Sequence, residues 1–237
     1  MRETDIPLVK DLPLFKDMQD THFDALMRGG YVQNFPPHVE LITEGDPADF
    51  LHIVTEGSVE LFAGWNGRET TMATVEPHAT FILAASVKDA PYLMSARTLE
   101  KSRLILLPSA DVRTAFERDS AFARAVVTEL AQCYRSVVKN TKGLKLRSSI
   151  ERLANYLLRC QERTGGAKSF ELQIEKRRLA SYLGMTPENL SRAIKSLQPY
   201  SVRIDGTQVT ISDPDDLASL AKPSPLIDGR DADSTSA

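Results

Sequence analysis

The spacing of apolar residues along this 237-residue chain changes several times, and each change predicts a different element. Leu12, Leu14, Phe15, Phe23, Leu26 and Met27 are apolar anchors closed by Gly29-Gly30, so residues 1–30 read as helical. From Tyr31 to about Leu107 short runs alternate with turn residues. Glu40–Thr43, Phe50–Thr55, Ser58–Ala63, Thr70–Val75 and Arg103–Leu107 read as strands, punctuated by Gly45-Asp46-Pro47, Glu56-Gly57, Asn66-Gly67 and Pro77. Asn66-Gly67 between two such runs is a hairpin signal, because the favoured two-residue turn needs positive φ at both positions. Many short strands at this spacing predict a β-sandwich or jelly roll.

From about Ser120 to Leu144 the period becomes seven. Ala123, Leu130, Val137 and Leu144 lie seven apart, with Val127, Tyr134 and Thr141 at the interleaved positions. Such a seam fits a parallel two-stranded coiled coil, and Ala123, Val127, Leu130, Tyr134, Val137 and Leu144 are its expected dimer interface. A helix docked on its own sandwich would also be apolar on one side, and that alternative stays open. Gly143 is a candidate hinge near the helix end. Ile150, Leu153, Leu157 and Leu158 mark a further helix ended by Gly165-Gly166, and Phe170–Ile174 a short strand.

The stretch Leu179-Ala-Ser-Tyr-Leu-Gly-Met-Thr-Pro-Glu-Asn-Leu-Ser-Arg-Ala-Ile-Lys195 then reads as helix, tight turn, helix. Leu179, Ala180 and Leu183 share one face, and Gly184 supplies a left-handed turn residue. Thr186 is a suitable N-cap, and Pro187 fits the first helical position, where a missing N–H costs nothing. Leu190, Ala193, Ile194 and Leu197 continue at three- and four-residue spacing and predict a buried face. The opposite face carries Glu188, Asn189, Ser191, Arg192 and Lys195. A short exposed helix presenting a carboxylate, a hydroxyl and a guanidinium is suited to reading base edges in the major groove of double-stranded DNA. Thr186 and Lys195 are expected on phosphates, which position without specifying sequence. Two plainer readings stay open: Glu188 interacting only with its own helix N-terminus, and Arg192 touching only phosphate. Val202–Ile204 and Gln208–Ile211, joined around Asp205-Gly206, read as a closing hairpin or wing. From Lys222 onward the chain is rich in Pro, Ser, Asp and Gly and reads as a disordered tail.

Composition narrows the classes. A hydrophobic fraction of 42% supports real cores. No run approaches a membrane-spanning length, and Met1–Lys10 has no signal-peptide core, so the expectation is a cytoplasmic protein with no membrane partner. Cys133 and Cys160, far apart in helical patterns, argue against a disulfide framework or a zinc finger. The formal net charge of −3 is unevenly spread: Lys139–Thr210 holds 14 Lys and Arg against 6 Asp and Glu, net +8, and the remainder 15 against 26, net −11. This asymmetry suggests a basic nucleic-acid module joined to an acidic one.

Sandwich, long helix and winged helix–turn–helix, in that order, resemble the Crp/Fnr family of bacterial transcription regulators. Ile42-Thr-Glu-Gly-Asp-Pro-Ala-Asp-Phe-Leu-His-Ile-Val-Thr-Glu-Gly-Ser-Val-Glu-Leu61 looks like the family's sensor-domain signature, with Gly45 and Gly57 at sharp corners. Glu188-x-x-Ser191-Arg192 resembles the recognition motif of the Fnr-type branch. The resemblance implies an α+β chain: an N-terminal jelly-roll sensor domain over 1–118, a dimerisation helix over 119–145, a C-terminal winged helix–turn–helix over 146–221 and a tail over 222–237. It also implies a homodimer on a palindrome with TTGA-like half-sites, and RNA polymerase as a partner.

The trigger is less legible. Cyclic-nucleotide members resemble this chain but hold the phosphate with Gly-Glu and Arg-Ser pairs, where this sequence places Leu83-Ala84 and Met94-Ser95. Arg97, three residues on from Met94, points to the opposite strand face. Burying a phosphate without a cation is costly, which argues against cyclic AMP. The first 132 residues contain no cysteine, which argues against an iron–sulfur cluster of the Fnr kind. Phe81, Ile82, Leu83, Ala84 and Met94, facing Leu130 and Tyr134, are the expected lining of an apolar pocket suited to an apolar ligand or haem. The cofactor is left open, with no metal site predicted beyond His78 as a candidate axial ligand of haem. His52 reads as structural and Trp65 as a partly exposed flap residue. A regulator whose sensor binds no ligand and acts through protein partners is the alternative. A cupin-like enzyme is disfavoured, because the four histidines are scattered with no His-x-His pair.

Overall fold

The computed structural model describes residues 5–229. The chain is mixed α+β and forms two compact units, one reaching to Tyr134 and one starting at Arg135. The first contains α1 (Asp5–Lys10), α2 (Asp20–Arg28), β1 (Tyr31–Phe35), β2 (Glu40–Ile42), β3 (Phe50–Glu56), β4 (Val59–Trp65), β5 (Arg68–Val75), β6 (Ala79–Phe81), α3 (Leu83–Lys88), β7 (Ser95–Thr98), β8 (Ser102–Pro108), α4 (Ser109–Arg118) and the first half of α5 (Ser120–Leu146). The strands make two four-stranded antiparallel sheets, ordered β1-β8-β3-β6 and β2-β7-β4-β5, the order of a jelly roll.

Strand alternation assigns side chains to layers. On β3 and β8, Leu51, Ile53, Ile105 and Leu107 join α1, α2, α4 and α5 in one cluster, while Val54 and Leu104 point into the space between the sheets with Leu61, Phe81 and Ala96. β3 is thus covered on both faces, which is why it reads as a continuous apolar run. The Asn66-Gly67 turn has positive φ at both residues (50° and 73°), as its hairpin requires, and Trp65 beside it is exposed.

Residues 1–30, expected as one helical segment, hold α1 and α2 separated by turns from Asp11 to Met18. Pro13 cannot donate to a helical ladder, yet Leu12, Leu14 and Phe15 on the turns are buried, with Phe15 stacked on Phe122 at 5.7 Å.

The long helix, expected over 119–145, spans Ser120–Leu146 and runs through Gly143 without a break, which removes the hinge expected there. The chain bends instead after Arg147, where Ser148 turns extended and opens α6 (Ser149–Arg163) with a reciprocal capping box to Glu151. The second unit continues with β9 (Ser169–Glu171), α7 (Lys176–Tyr182), α8 (Pro187–Ser196), a 3-10 turn (Gln198–Tyr200), β10 (Val202–Asp205), β11 (Gln208–Ile211), α9 (Pro214–Ala221) and α10 (Pro225–Asp228). The tail expected from Lys222 is therefore corrected over Lys222–Gly229: α10 is helical, and its Asp228 is paired with Arg147 and Arg159. Residues 230–237 of that tail, like 1–4, lie outside the described residues. Among the described residues no helix is long and apolar enough to cross a membrane.

Asp119 sets the start of α5. Its Oδ1 accepts from the amides of Ala121 (3.0 Å) and Phe122 (2.9 Å), and its Oδ2 from the amide of Gln19 (2.9 Å) at the start of α2 and from His22 Nδ1 (3.0 Å). One carboxylate thereby serves two helix N-termini. Burial pushes its pKa up, but the Phe122 amide, His22 and the Gln19 and Ala121 amides outweigh this and bring it down to about 2. Its contribution to stability is complete above its unfolded-state pKa and is lost as pH falls through the folded value. Asp119→Ala should cost about 0.5–2 kcal/mol at neutral pH, the range for a lost N-cap. Denaturant unfolding of both proteins between pH 5 and 2.5 should show the gap closing from about pH 4 downward; a pH-independent gap would refute the assignment.

Candidate nucleic-acid interface

The second unit is built around α8. Leu179 and Ala180 of α7, Leu183, Leu190 and Ala193 of α8 and Leu197 are buried with Leu153 and Leu157 of α6 and Val209 and Ile211 of β11. The turn between the helices is made by Gly184 at φ 62°. Thr186 is extended and accepts a hydrogen bond from the Asn189 amide at 3.2 Å, and Pro187 follows at the first helical position. With Leu190, Ala193 and Leu197 turned inward, the other face must point out. Thr186, Glu188, Asn189, Ser191, Arg192 and Lys195 are all exposed. This is the arrangement the helix spacing predicts.

Two side chains on that face have partners of their own. The Ser191 hydroxyl donates to the Pro187 carbonyl at 2.9 Å. The Glu188 carboxyl is held below its ordinary range by its own backbone amide, then by the Thr186 hydroxyl and Arg192, with burial acting the other way. In the free chain Glu188 therefore lies over its own helix N-terminus. Exposed basic side chains also occur at Lys176 and Arg177 of α7 and at Arg203 of the β10–β11 hairpin.

One residue that holds this element together has no local signal in the sequence. Arg152 on α6 donates from Nε to the Leu183 carbonyl (2.8 Å), from Nη2 to the Gly184 carbonyl (3.3 Å) and from Nη1 to the Arg147 carbonyl (2.6 Å). It closes the carbonyls of the turn from 31 residues away. Leu144, expected in the dimer seam, lies against Gly184: a β-carbon there would meet Leu144 Cδ2 at 2.5 Å. Elsewhere along the seam, Val127, Tyr134 and Val137 are 59%, 71% and 63% exposed, whereas Ala123 is half-buried and Leu130 packs partly against the helical cluster of its own unit.

The residues expected to line a sensor pocket are divided. Phe81, Ile82 and Met94 come together between the two sheets. Leu83 and Leu130 join the helical cluster on the far side of the β1-β8-β3-β6 sheet, and Ala84 and Tyr134 are exposed. The cause is Ile82, whose left-handed φ of 68° turns the chain from β6 into α3 and carries Leu83 to the other layer. His78 stands exposed in a turn at φ 67°. His52, read as structural, is the histidine inside: it is 3% exposed and its ring stacks on Phe81 at 4.8 Å. Burial lowers its pKa to about 4, against the opposing Phe50 carbonyl, so it is neutral, and its Nδ1 has no hydrogen-bond partner. Arg97 lies on the opposite face of β7 from the interior, where its Nε donates to Glu60 at 2.8 Å, its Nη1 to Glu69 at 3.1 Å, and its guanidinium covers Phe62 at 4.1 Å. Among the described residues no three His, Cys, Asp or Glu side chains are grouped as metal ligands.

Comparison with known proteins agrees with this architecture. A family model described as a cyclic nucleotide-binding domain matches residues 32–119, and one described as a Crp-like helix-turn-helix domain matches residues 151–220. The chain is 23% identical over 215 residues to the CRP-like cAMP-activated global transcriptional regulator of Mycobacterium tuberculosis, covering 88% of this chain and 96% of that protein. It is 23% identical over 192 residues to the nitrogen fixation regulation protein FixK of Rhizobium meliloti, covering 80% and 86%. The solved structure of FixK2 from Bradyrhizobium japonicum superposes with a TM-score of 0.68 at 22% identity, over 82% of this chain and 98% of that one, a likeness of fold.

The turn makes a direct stability prediction. Gly184→Ala places a side chain at positive φ, which costs an L-residue about 1–2 kcal/mol, and also displaces Leu144. Chemical denaturation should show at least that loss. An unchanged midpoint would show that the turn does not need its glycine.

Proposed function

We propose, from the premise that the chain belongs to the Crp/Fnr family of transcription regulators, that it works as a homodimer on a palindromic operator and answers to an apolar ligand or haem-borne gas rather than to cyclic AMP. The observation that carries this reading is the exposed set Thr186, Glu188, Asn189, Ser191, Arg192 and Lys195 on a capped helix whose opposite face is buried. In the groove, Arg192 bonds a guanine edge through O6 and N7, and Glu188 exchanges its contacts at the helix start for a cytosine amino group. Thr186 and Lys195 meet phosphates. Val127, Tyr134 and Val137 support the dimer, since a second copy of the helix would remove these exposed side chains from water. RNA polymerase is the protein partner that family membership suggests.

Three positions argue against cyclic AMP. Leu83 and Ala84 stand where the cyclic-nucleotide members carry Gly-Glu, and Met94 where they carry Arg. Arg97 is committed to Glu60 and Glu69 on the outer face. For haem, the chain offers His52 as a buried neutral nitrogen donor in an apolar interior; His78 is exposed. Bound there, haem would supply iron as the site for a gas ligand, while His52 would hold and orient the group. A second reading, a sensor that binds no small ligand and acts through a protein partner, is favoured by one observation: Phe81, Ile82 and Met94 are part of the packed cluster between the sheets.

Selection of duplexes from a random pool should recover an inverted repeat, bound with a log affinity that falls linearly with log salt. Equal affinity for scrambled DNA would refute the reading. Arg192→Ala should cost about 1–3 kcal/mol and relax one base position, whereas uniform weakening on every sequence would assign Arg192 to phosphate. Adding haem to the purified protein should produce a shifted Soret band that survives His78→Ala and disappears in His52→Ala. A spectrum that is only the sum of protein and free haem removes haem and leaves an organic ligand or the partner reading.

A further inference from the structure

The bend between α5 and α6 is held by a segment beyond both matched domains. Arg147 follows the last residue of α5 and Ser148 caps α6, so two residues connect the limbs. A two-residue connection still has soft φ and ψ angles through which the helices can change their angle. Here α10 returns to the bend and places one carboxylate between the limbs. Asp228 accepts from Arg147 Nη1 at 2.7 Å and Nη2 at 2.6 Å, and from Arg159 Nη1 on α6 at 2.9 Å. The Ser224 amide donates to the same carboxylate at 2.8 Å, which fixes its orientation. The Arg147 and Asp228 side chains are each only 10% exposed. The segment is also tied to the long helix through Lys139 Nζ, which donates to the Gly229 carbonyl at 2.8 Å.

We propose that Asp228 is a positioning residue for operator recognition, locking the α5–α6 bend so that α8 is presented at one fixed angle to the long helix. The inference rests on the dimeric, operator-binding reading above. A bidentate guanidinium–carboxylate pair is directional, and here a second guanidinium from the other limb engages the same carboxylate. Any change of angle at the bend would separate Asp228 from Arg147 or from Arg159. The same bend is keyed to the reading element, because Arg152 joins the Arg147 carbonyl to those of Leu183 and Gly184. Two α8 helices in a dimer must enter successive major grooves about one helical turn apart. A free bend would leave each α8 able to read its half-site while the pair no longer measured the distance between half-sites.

The test uses the full chain and the duplex recovered by selection, alongside duplexes with one base pair inserted or removed between the half-sites and one with a single half-site. Asp228→Ala should bind the single half-site as the unaltered protein does, lose about tenfold on the correctly spaced duplex, and discriminate less between correct and altered spacing. Arg159→Met, which keeps the Arg147–Asp228 pair, should show a smaller change in the same direction. Spacing discrimination in Asp228→Ala equal to that of the unaltered protein overturns the inference. So does an equal loss on every duplex together with a lowered Tm, which would make the contact one of stability alone. If the unaltered protein ignores spacing, the operator reading itself fails, and this inference with it.

Discussion

A helix has one circumference, and the long helix Ser120–Leu146 carries more apolar residues than its own chain covers. At 1.5 Å per residue it is roughly 40 Å long. Phe122 and Val126 are fully buried against the helices and sheet of the first unit, while Val127, Tyr134 and Val137 stay in water. Its register follows from its start. Asp119 bonds the amides of Ala121 and Phe122, and each later residue is then set by a fixed rotation of about 100°. Asp119 thus fixes where the helix begins, and the packing of Phe122 and Val126 fixes which face lies against the first unit. Of the residues spaced for a heptad seam, Val127, Tyr134 and Val137 are exposed, while Leu130 packs partly against the helices of its own unit and Leu144 lies against Gly184.

The reading element follows the same logic on a smaller scale. Gly184 reverses the chain, Thr186 caps and Pro187 opens α8, and the inward Leu190, Ala193 and Leu197 leave Glu188, Ser191, Arg192 and Lys195 outside. All of these constraints act within a few residues, so they are visible in the sequence. What is not local is the support beneath the turn, where Arg152 satisfies carbonyls that the turn leaves open and Leu144 fills the space a glycine makes available.

In the first unit, neighbours in sequence belong to different layers of the fold. An apolar run such as Phe50–Thr55 predicts a covered strand, yet alternate residues belong to different layers: Leu51 and Ile53 lie under the helices, and Val54 between the sheets. Phe81 and Leu83, two residues apart in sequence, are likewise separated by a sheet because Ile82 between them is left-handed. A single unfavourable φ is invisible to periodicity, since a branched residue at that conformation is held there by its surroundings. For the same reason His52, a polar residue in an apolar strand, reads as structural, although its neighbours leave its Nδ1 unpartnered on the ring of Phe81.

The order of sheet, long helix and helix–turn–helix, the Asn66-Gly67 hairpin, the N-cap of α8 and its exposed face were all determined by the sequence by itself. Each depends on turn stereochemistry, capping or the spacing of apolar residues over a short stretch. Tertiary structure alone decided that Gly143 would stay helical, that Asp119 would serve two helices and that Asp228 would join Arg147 to Arg159. These outcomes pair groups up to 100 residues apart. A carboxylate's own neighbours in sequence carry no record of the amide or guanidinium that folding brings to it.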